Sequence, residues 1–179
     1  FINFFIVPKA WHPVLKDVFE ADSLYGFSDT GRGQTVQVEF VSANPTGPLH
    51  VGHGLGAIVG DSVAALLAAC GYDVHREYYI NDAGKQIQTL GLSVFLRCQE
   101  LDGKTVEFPE DCYQGDYIHD IAKALIDEKG DWIYTISEDD AIAFCSGFAA
   151  DRMIIRIRSV LNSLGIEFEF INMGGGLGI

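Results

Sequence analysis

Two histidines in the segment His50-Val51-Gly52-His53 are the strongest candidates for chemistry in this 179-residue chain. A helix that begins here presents free backbone N–H groups and a positive dipole end, and both attract phosphate. Side chains three residues apart on a helix lie on one side of it, so both imidazoles can donate hydrogen bonds to a phosphate chain. Gly52 and Gly54 leave the backbone open to a nucleotide. The segment is therefore a candidate site for the phosphates of a nucleotide, with His50 and His53 as its hydrogen-bond donors.

The same histidines have a plainer interpretation, in which they cap a helix and bind no ligand. A zinc site is disfavoured, because two imidazoles are too few ligands and no carboxylate follows at matching helical spacing. The acidic run at 138–140 is typical of a helix start that follows Ser137, so it is not interpreted as a metal site.

The elements around the histidines predict a strand, a loop, a helix and a second strand. Residues 35–42 are rich in β-branched and aromatic side chains, which suits a buried strand. A loop with two prolines follows at 44–48, and apolar residues then recur at helical steps over 52–70. Residues 73–80 form the second strand. The two strands of such a unit are parallel, and ligands bind at their carboxyl ends.

The rest of the chain predicts a mainly helical segment before a third strand at 166–171. Helices are predicted near 13–21, 85–101, 117–128 and 137–164. Phe1 to Val7 is interpreted as the end of a buried element, and the polar cluster at 28–33 as the start of the catalytic domain. The fold class is therefore α/β, with a Rossmann-like parallel sheet in its HxGH-type nucleotide-binding half and a helical insertion.

Composition argues against two classes of function, nucleic-acid binding by this segment alone and membrane association. The net charge of −13 argues against this segment being a nucleic-acid surface by itself, because phosphate contacts need clustered Lys and Arg. The four cysteines are widely spaced, as expected of reduced thiols in a cytosolic protein. No apolar run is expected to approach the roughly 20 residues of a membrane helix, so no membrane association is predicted.

The residues from 38 to 54, VEFVSANPTGPLHVGHG, closely resemble the signature region of arginyl-tRNA synthetases, a family of class I aminoacyl-tRNA synthetases. The resemblance continues at 60–61, at 71–74 and at 76–84 with Gln86, and more weakly at 113–118. Residues 2–5 resemble the end of the family's N-terminal RNA-contacting domain. The resemblance covers roughly residues 1 to 170.

This resemblance implies ATP-dependent activation of arginine to arginyl-adenylate, followed by transfer to the terminal ribose of tRNA(Arg). It implies that His50 and His53 stabilise the phosphates and that Glu39, Ser42 and Asn44 contact the arginine. ATP with Mg²⁺ is the expected substrate, with no prosthetic group. The full-length enzyme is expected to be a cytoplasmic monomer. The expected domains are 1–33, the end of the RNA-contacting domain and a linker; 34–171, the first half of the catalytic domain; and 172–179, a Gly-rich tail of uncertain origin.

Several of these residues also have simpler interpretations. Glu39 would be costly to bury without a cation such as a guanidinium, but on an alternating strand it would point to solvent. Asn81, Asp82 and Gln86 follow the second strand and could face the same substrate crevice, although Asn and Asp also favour turns without any ligand. Tyr113 and Tyr117 could stack on a substrate or a base, and we favour ordinary packing.

The sequence departs from the family pattern at two positions near the motif. Leu55 stands where the family usually has Arg, and Gly47 stands where some members have Lys. No lysine loop of the K-M-S-K type occurs in these residues, so we expect this fragment alone to be inactive. The alternative is a synthetase-like paralogue that binds nucleotide or RNA without aminoacylating. The tail at 172–179 weakly resembles a phosphate loop of enzymes that bind pyridoxal phosphate, which we disfavour.

Overall fold

Three parallel strands form the sheet of the computed structural model, which describes residues 1–81, 83–168 and 170–173. The strands are β1 (Thr35–Glu39), β2 (Asp73–Ile80) and β3 (Phe170–Met173), in the spatial order β1-β2-β3. Val38 lies opposite Arg76, and Glu77 lies opposite Phe170. The predicted parallel α/β sheet is therefore confirmed for the described residues.

In the part of the chain that the structure describes, five α-helices accompany the strands: α1 (His12–Ala21), α2 (Val51–Ala69), α3 (Lys85–Leu101), α4 (Asp116–Lys129) and α5 (Glu138–Ser163). Helix α2 connects β1 to β2, and helices α3 to α5 separate β2 from β3. The predicted strand-helix-strand unit and the predicted helical insertion are both present. We use the name helical insertion for residues 85–163.

Strand β1 is shorter and more exposed than predicted. It ends at Glu39, because Val41 and Ser42 adopt left-handed backbone conformations with φ of 67° and 40°. Its side chains alternate between exposed and half-buried, and it lies at the edge of the three-stranded sheet. The prediction of a fully buried strand is wrong. The third strand begins at Phe170, four residues after the predicted start at Ile166.

Helix α2 packs one narrow face against the sheet and leaves the other face uncovered. Ala57, Gly60 and Ala64 are buried, and a Cβ added at Gly60 would lie only 2.4 Å from the Cβ of Phe40. Small residues therefore allow the helix to approach the strand closely. Leu55 and Leu66, on the opposite face, are 65% and 67% exposed.

By length and composition alone, α2 could cross a membrane, because it has 19 residues and an 18-residue window in it has a mean hydropathy of 1.5. The expectation that no apolar run reaches this length is therefore wrong. Arg76 Nε of β2 donates to Asp61 Oδ1 of α2 at 3.0 Å. This ion pair and the packing on β1 and β2 make α2 a helix of the α/β unit.

The helical insertion has its own apolar core. Leu90, Ile118, Leu125 and Ile133 have no exposed surface and pack together with residues of α5. Ser137 caps α5 by accepting a hydrogen bond from the backbone N–H of Asp140, as the sequence predicted. Cys98 and Cys145 lie buried within this core, and all four cysteines are free thiols, as expected.

The first residues of the chain do not form the predicted buried element. The side chains of Phe1 to Val7 are exposed, and α1 has no buried residue. The predicted turn at 28–33 is present, and its backbone is hydrogen-bonded to the residues that follow α2. Gly31 N donates to Cys70 O and Gly33 N donates to Gly71 O, both at 2.8 Å.

Candidate nucleotide site

The two signature histidines lie together at the first turn of α2. Their rings stack with centroids 3.8 Å apart and an interplanar angle of 25°. His50 is the N-cap residue, and its Nδ1 accepts a hydrogen bond from Gly52 N at 3.1 Å. His50 N in turn donates to His53 Nδ1 at 3.3 Å, which completes a reciprocal capping box. The prediction that both rings share one side of the helix is confirmed.

These hydrogen bonds determine which ring nitrogens face outward as donors. A neutral imidazole has one N–H donor and one acceptor nitrogen. Because each Nδ1 accepts a backbone N–H, each neutral ring carries its proton on Nε2. Capping the helix and donating to an anion are therefore compatible uses of the same two side chains.

His53 favours the neutral form. Partial burial lowers its pKa below the ordinary value of 6.5, and the neighbouring His50 lowers the pKa further. A neutral His53 keeps its Nδ1 lone pair for the backbone N–H of His50. The tautomer that presents Nε2–H outward is thus stabilised at neutral pH.

One side chain and one backbone N–H of β2 hold the backbone that leads from β1 to the histidines. Tyr78, which is 2% exposed, accepts from Ala43 N at 3.1 Å and donates to Ala43 O at 2.8 Å. Burial raises the pKa of Tyr78 to about 12, so it remains a neutral hydroxyl. Ser42 Oγ accepts from Tyr79 N at 3.2 Å. These bonds stabilise the left-handed backbone at Val41 and Ser42, which is unfavourable for L-residues.

Four of the predicted site residues line one open depression of about 420 Å³, at the carboxyl end of β1. Asn44 Nδ2 donates to Gln86 Oε1 at 2.6 Å, which joins the loop after β1 to the start of α3. His50 and His53 line the same depression. The remaining wall comes from the loop backbone and from two tyrosines of the helical insertion, Tyr113 and Tyr117.

The other predicted residues lie outside this group. Glu39 is exposed at the end of β1, so its carboxylate is open to solvent. The Asn81 side chain accepts from Ala83 N at 3.4 Å, which is ordinary turn chemistry. Asp82 lies outside the described residues. Gly52 lacks a side chain where the ring of His50 lies, because a Cβ added at Gly52 would be 3.0 Å from Cε1 of His50. Gly54 has open space around it.

Sequence reasoning missed the structural roles of Tyr78 and Tyr117. Tyr117 Oη donates to Thr46 O at 2.9 Å, across 71 residues of sequence. Burial and the nearby Tyr113 raise the pKa of the Tyr117 hydroxyl, which keeps it a donor. A single tyrosine gives no signal of its distant partner, and only the alternation of β2 indicated that Tyr78 could point inward.

Among the described residues, the lining of the depression includes no Asp or Glu side chain. It offers amides, imidazoles and phenols, whereas Mg²⁺ prefers carboxylate oxygens and water. Over the residues that the structure describes, no group of three or more His, Cys, Asp or Glu side chains could hold a metal ion. A larger recess of about 550 Å³ between β2 and α5 has mainly apolar walls and contains none of the predicted site residues.

Comparisons with known proteins identify the family. The family model of the class I (R) tRNA synthetase catalytic domain matches residues 15–145. The chain is 57% identical to an arginine–tRNA ligase of Desulfosudis oleivorans over 169 residues, and 53% identical to that of Citrifermentans bemidjiense. These alignments cover 94% of this chain and 30% of each relative, so the chain spans about a third of their length.

A solved structure supports the same assignment. A crystal structure assigned as an arginyl-tRNA synthetase from Campylobacter jejuni superimposes with a TM-score of 0.78 and 32% sequence identity. The superposition covers 94% of this chain and 37% of that one. The family match over most of the chain and the parallel α/β fold agree: this chain belongs to the catalytic-domain family of the class I tRNA synthetases specific for arginine.

Proposed function

We propose that this chain supplies the ATP-phosphate half of the active site of an arginine–tRNA ligase. The observation that carries the proposal is the reciprocal capping of His50 and His53, which directs two Nε2–H donors away from the start of α2. The similarity to arginine–tRNA ligases indicates the reaction. Arginine and ATP give arginyl-adenylate and pyrophosphate, and the arginyl group then passes to the terminal ribose of tRNA(Arg).

The proposed role of the histidines is to stabilise charge on the transferring phosphates. As the arginine carboxylate attacks the α-phosphorus, negative charge develops on the pentacoordinate phosphorus and on the leaving pyrophosphate. Preorganised N–H donors and the amino end of α2 favour this charge without further reorganisation. Gly54, with open space around it, lets the phosphate chain approach the helix. Mg²⁺ enters as part of the MgATP substrate.

The proposed arginine contacts use acceptors at the end of β1. The Glu39 carboxylate is exposed and available to a guanidinium, which pairs well with a planar acceptor. Because Asn44 donates its Nδ2–H to Gln86, its Oδ1 remains free to accept a hydrogen bond from the substrate. Ser42 Oγ has a second lone pair beyond the one that Tyr79 N uses, and we assign it to the substrate α-amino group.

The complete reaction needs residues beyond this chain, which spans about a third of its relatives. We propose that the chain alone does not form arginyl-adenylate. We propose that most of the tRNA-binding surface lies elsewhere in the full-length protein, because the net charge of this chain is −13. We propose a cytoplasmic, monomeric enzyme that uses ATP, arginine and tRNA(Arg).

Arginine-dependent exchange of pyrophosphate into ATP by the full-length protein tests the proposal. We expect His50→Ala and His53→Ala each to lower the exchange rate on the order of a hundredfold. His119→Ala is the matched control, because His119 is an exposed histidine of α4 outside the depression. Normal exchange in both signature variants would exclude the assigned role.

A synthetase-like paralogue that binds nucleotide without aminoacylating is the second candidate. Leu55 favours it, because this exposed apolar residue stands where the family usually has a guanidinium. ATP binding measured by calorimetry, together with arginine-dependent exchange, separates the two functions. Binding without exchange in the wild-type full-length protein would favour the paralogue.

A further inference from the structure

Tyr117 connects the helical insertion to the loop that carries the two histidines. This half-buried residue lies in the first turn of α4, and its hydroxyl donates to the backbone carbonyl of Thr46 at 2.9 Å. Thr46 lies four residues before His50, in the loop between β1 and α2. The carbonyl therefore belongs to the backbone that sets where α2 begins.

Two glycines provide space for the Tyr117 ring, one on each side of the contact. A Cβ added at Gly47 would lie 3.3 Å from Tyr117 Oη, and one added at Gly115 would lie 2.7 Å from Tyr117 Cε1. Neither glycine has a positive φ. Their lack of a side chain therefore serves this packing rather than an unusual backbone conformation.

Tyr117 also lines the depression that contains Asn44, His50 and His53. A shift of the loop would move the N-cap residue of α2 and the reciprocal capping bonds with it. Small displacements of groups that stabilise a transition state reduce the rate more than they reduce substrate binding.

We propose that Tyr117 is a positioning residue for arginine activation: its hydroxyl fixes the loop at Thr46 and thereby orients His50 and His53. The expected effect of Tyr117 on the rate of arginine activation rests on the proposed function. The orientation of the two rings can be observed independently of activity.

The test uses the full-length protein and the variant Tyr117→Phe, which removes one hydroxyl. We expect kcat for arginine-dependent pyrophosphate exchange to fall about three- to tenfold, which corresponds to one lost hydrogen bond. The KM for ATP is expected to change little. In a His50→Ala background the same substitution is expected to lower kcat by a smaller factor than in the wild type, because part of its effect passes through His50.

Tyr134→Phe is the matched control. Tyr134, like Tyr117, is a half-buried tyrosine of the insertion whose hydroxyl donates to a backbone carbonyl, that of Cys98 at 2.7 Å. It lies outside the depression, so its loss is expected to leave kcat unchanged. Gly47→Ala tests the contact from the other side. As a single substitution, Gly47→Ala is expected to lower kcat. In the Tyr117→Phe variant, the same substitution is expected to have a smaller effect on kcat.

A second measurement separates this proposal from the proposed function. We expect Tyr117→Phe to shift the NMR signals of the His50 and His53 rings, in protein labelled at the histidine Cε1, whereas Tyr134→Phe leaves them unchanged. Shifted signals in a protein without exchange activity would retain the positioning role and reject the synthetase reaction. Unchanged signals, or equal fold losses with and without His50, would reject the positioning role.

Discussion

The helical insertion and the β1–α2–β2 unit differ in how completely they bury their apolar side chains. Leu125 of the insertion has no exposed surface, whereas Leu66 of α2 is 67% exposed. The candidate site nevertheless lies on the less covered unit, at the first turn of α2. We therefore expect apolar side chains of the insertion to contribute more to the folding free energy of this chain than those on the uncovered face of α2. The insertion also holds the loop between β1 and α2 through hydrogen bonds of Tyr117 and Gln86.

Truncation of one leucine in each region tests this comparison most strongly. We expect Leu125→Ala to lower the free energy of unfolding by about 2–5 kcal/mol, because it leaves a cavity in a closed core. Leu66→Ala is expected to change it by no more than about 0.5 kcal/mol in this chain. Urea unfolding followed by circular dichroism measures both.

Equal losses of unfolding free energy in the two leucine variants would contradict this difference between the two regions, because they would show that Leu66 is covered in solution. Sedimentation of the wild-type chain would then show whether a second copy covers α2. A fixed sedimentation coefficient over a wide concentration range would exclude self-association.

The next largest effect concerns close helix packing inside the insertion. A Cβ added at Gly91 of α3 would lie 2.5 Å from Ile142 O and 2.8 Å from Ser146 N of α5. We expect Gly91→Ala to destabilise the chain by about 1–3 kcal/mol through overpacking. Gly147→Ala, on the exposed face of α5, is the control and is expected to be neutral or stabilising by up to about 1 kcal/mol. A Gly91 variant as stable as the Gly147 variant would mean that α3 and α5 separate easily.

Periodicity was sufficient to predict the strand-helix-strand unit and the position of the histidines. The helical repeat over 52–70 and the β-branched run before it specify α2 and β1 locally, and the N-cap at His50 follows from the loop that precedes it. Gly71, with φ of 84°, follows the end of α2 and adopts the left-handed conformation that favours glycine after a helix.

Burial was harder to predict, because it depends on neighbours that are distant in sequence. The run at 35–42 has the composition of a buried strand, yet β1 lies at a sheet edge and Glu39 is exposed. The same limit applies to the site. The pairing of Tyr117 with Thr46 spans 71 residues and leaves no local pattern. Asn44 and Gln86 could be predicted to share a crevice, but their direct hydrogen bond could not.

Removal of the Tyr78 hydroxyl tests how much one buried hydrogen-bonding side chain stabilises the β1–α2–β2 unit. We expect Tyr78→Phe to cost about 1–3 kcal/mol, because Ala43 N loses its buried acceptor. The absorbance change of tyrosinate provides a second readout. Burial raises the pKa of Tyr78 to about 12 and that of Tyr134 to about 12 as well, so the variant should lose one of two late titration steps. Loss of a step near pH 10 instead would show that the Tyr78 hydroxyl reaches solvent.

Ionisation of this tyrosine also has a defined effect on stability. The folded state holds the proton to a higher pH than the unfolded chain does, so the free energy of unfolding falls as pH rises from about 10 towards 12. Tyr78→Phe should make this fall less steep.

The smallest expected effect is the titration of His53, which tests how closely the two rings at the start of α2 interact. Its folded pKa is lowered, so the unfolded chain binds the proton more readily, and the free energy of unfolding falls as pH drops below about 6.5. His50→Asn keeps a good N-cap residue but removes the second imidazole. We therefore expect NMR titration to show a higher His53 pKa in this variant, still below the ordinary value because partial burial remains. An unchanged His53 pKa would show that burial alone lowers it and that the stacked rings do not sense each other's charge.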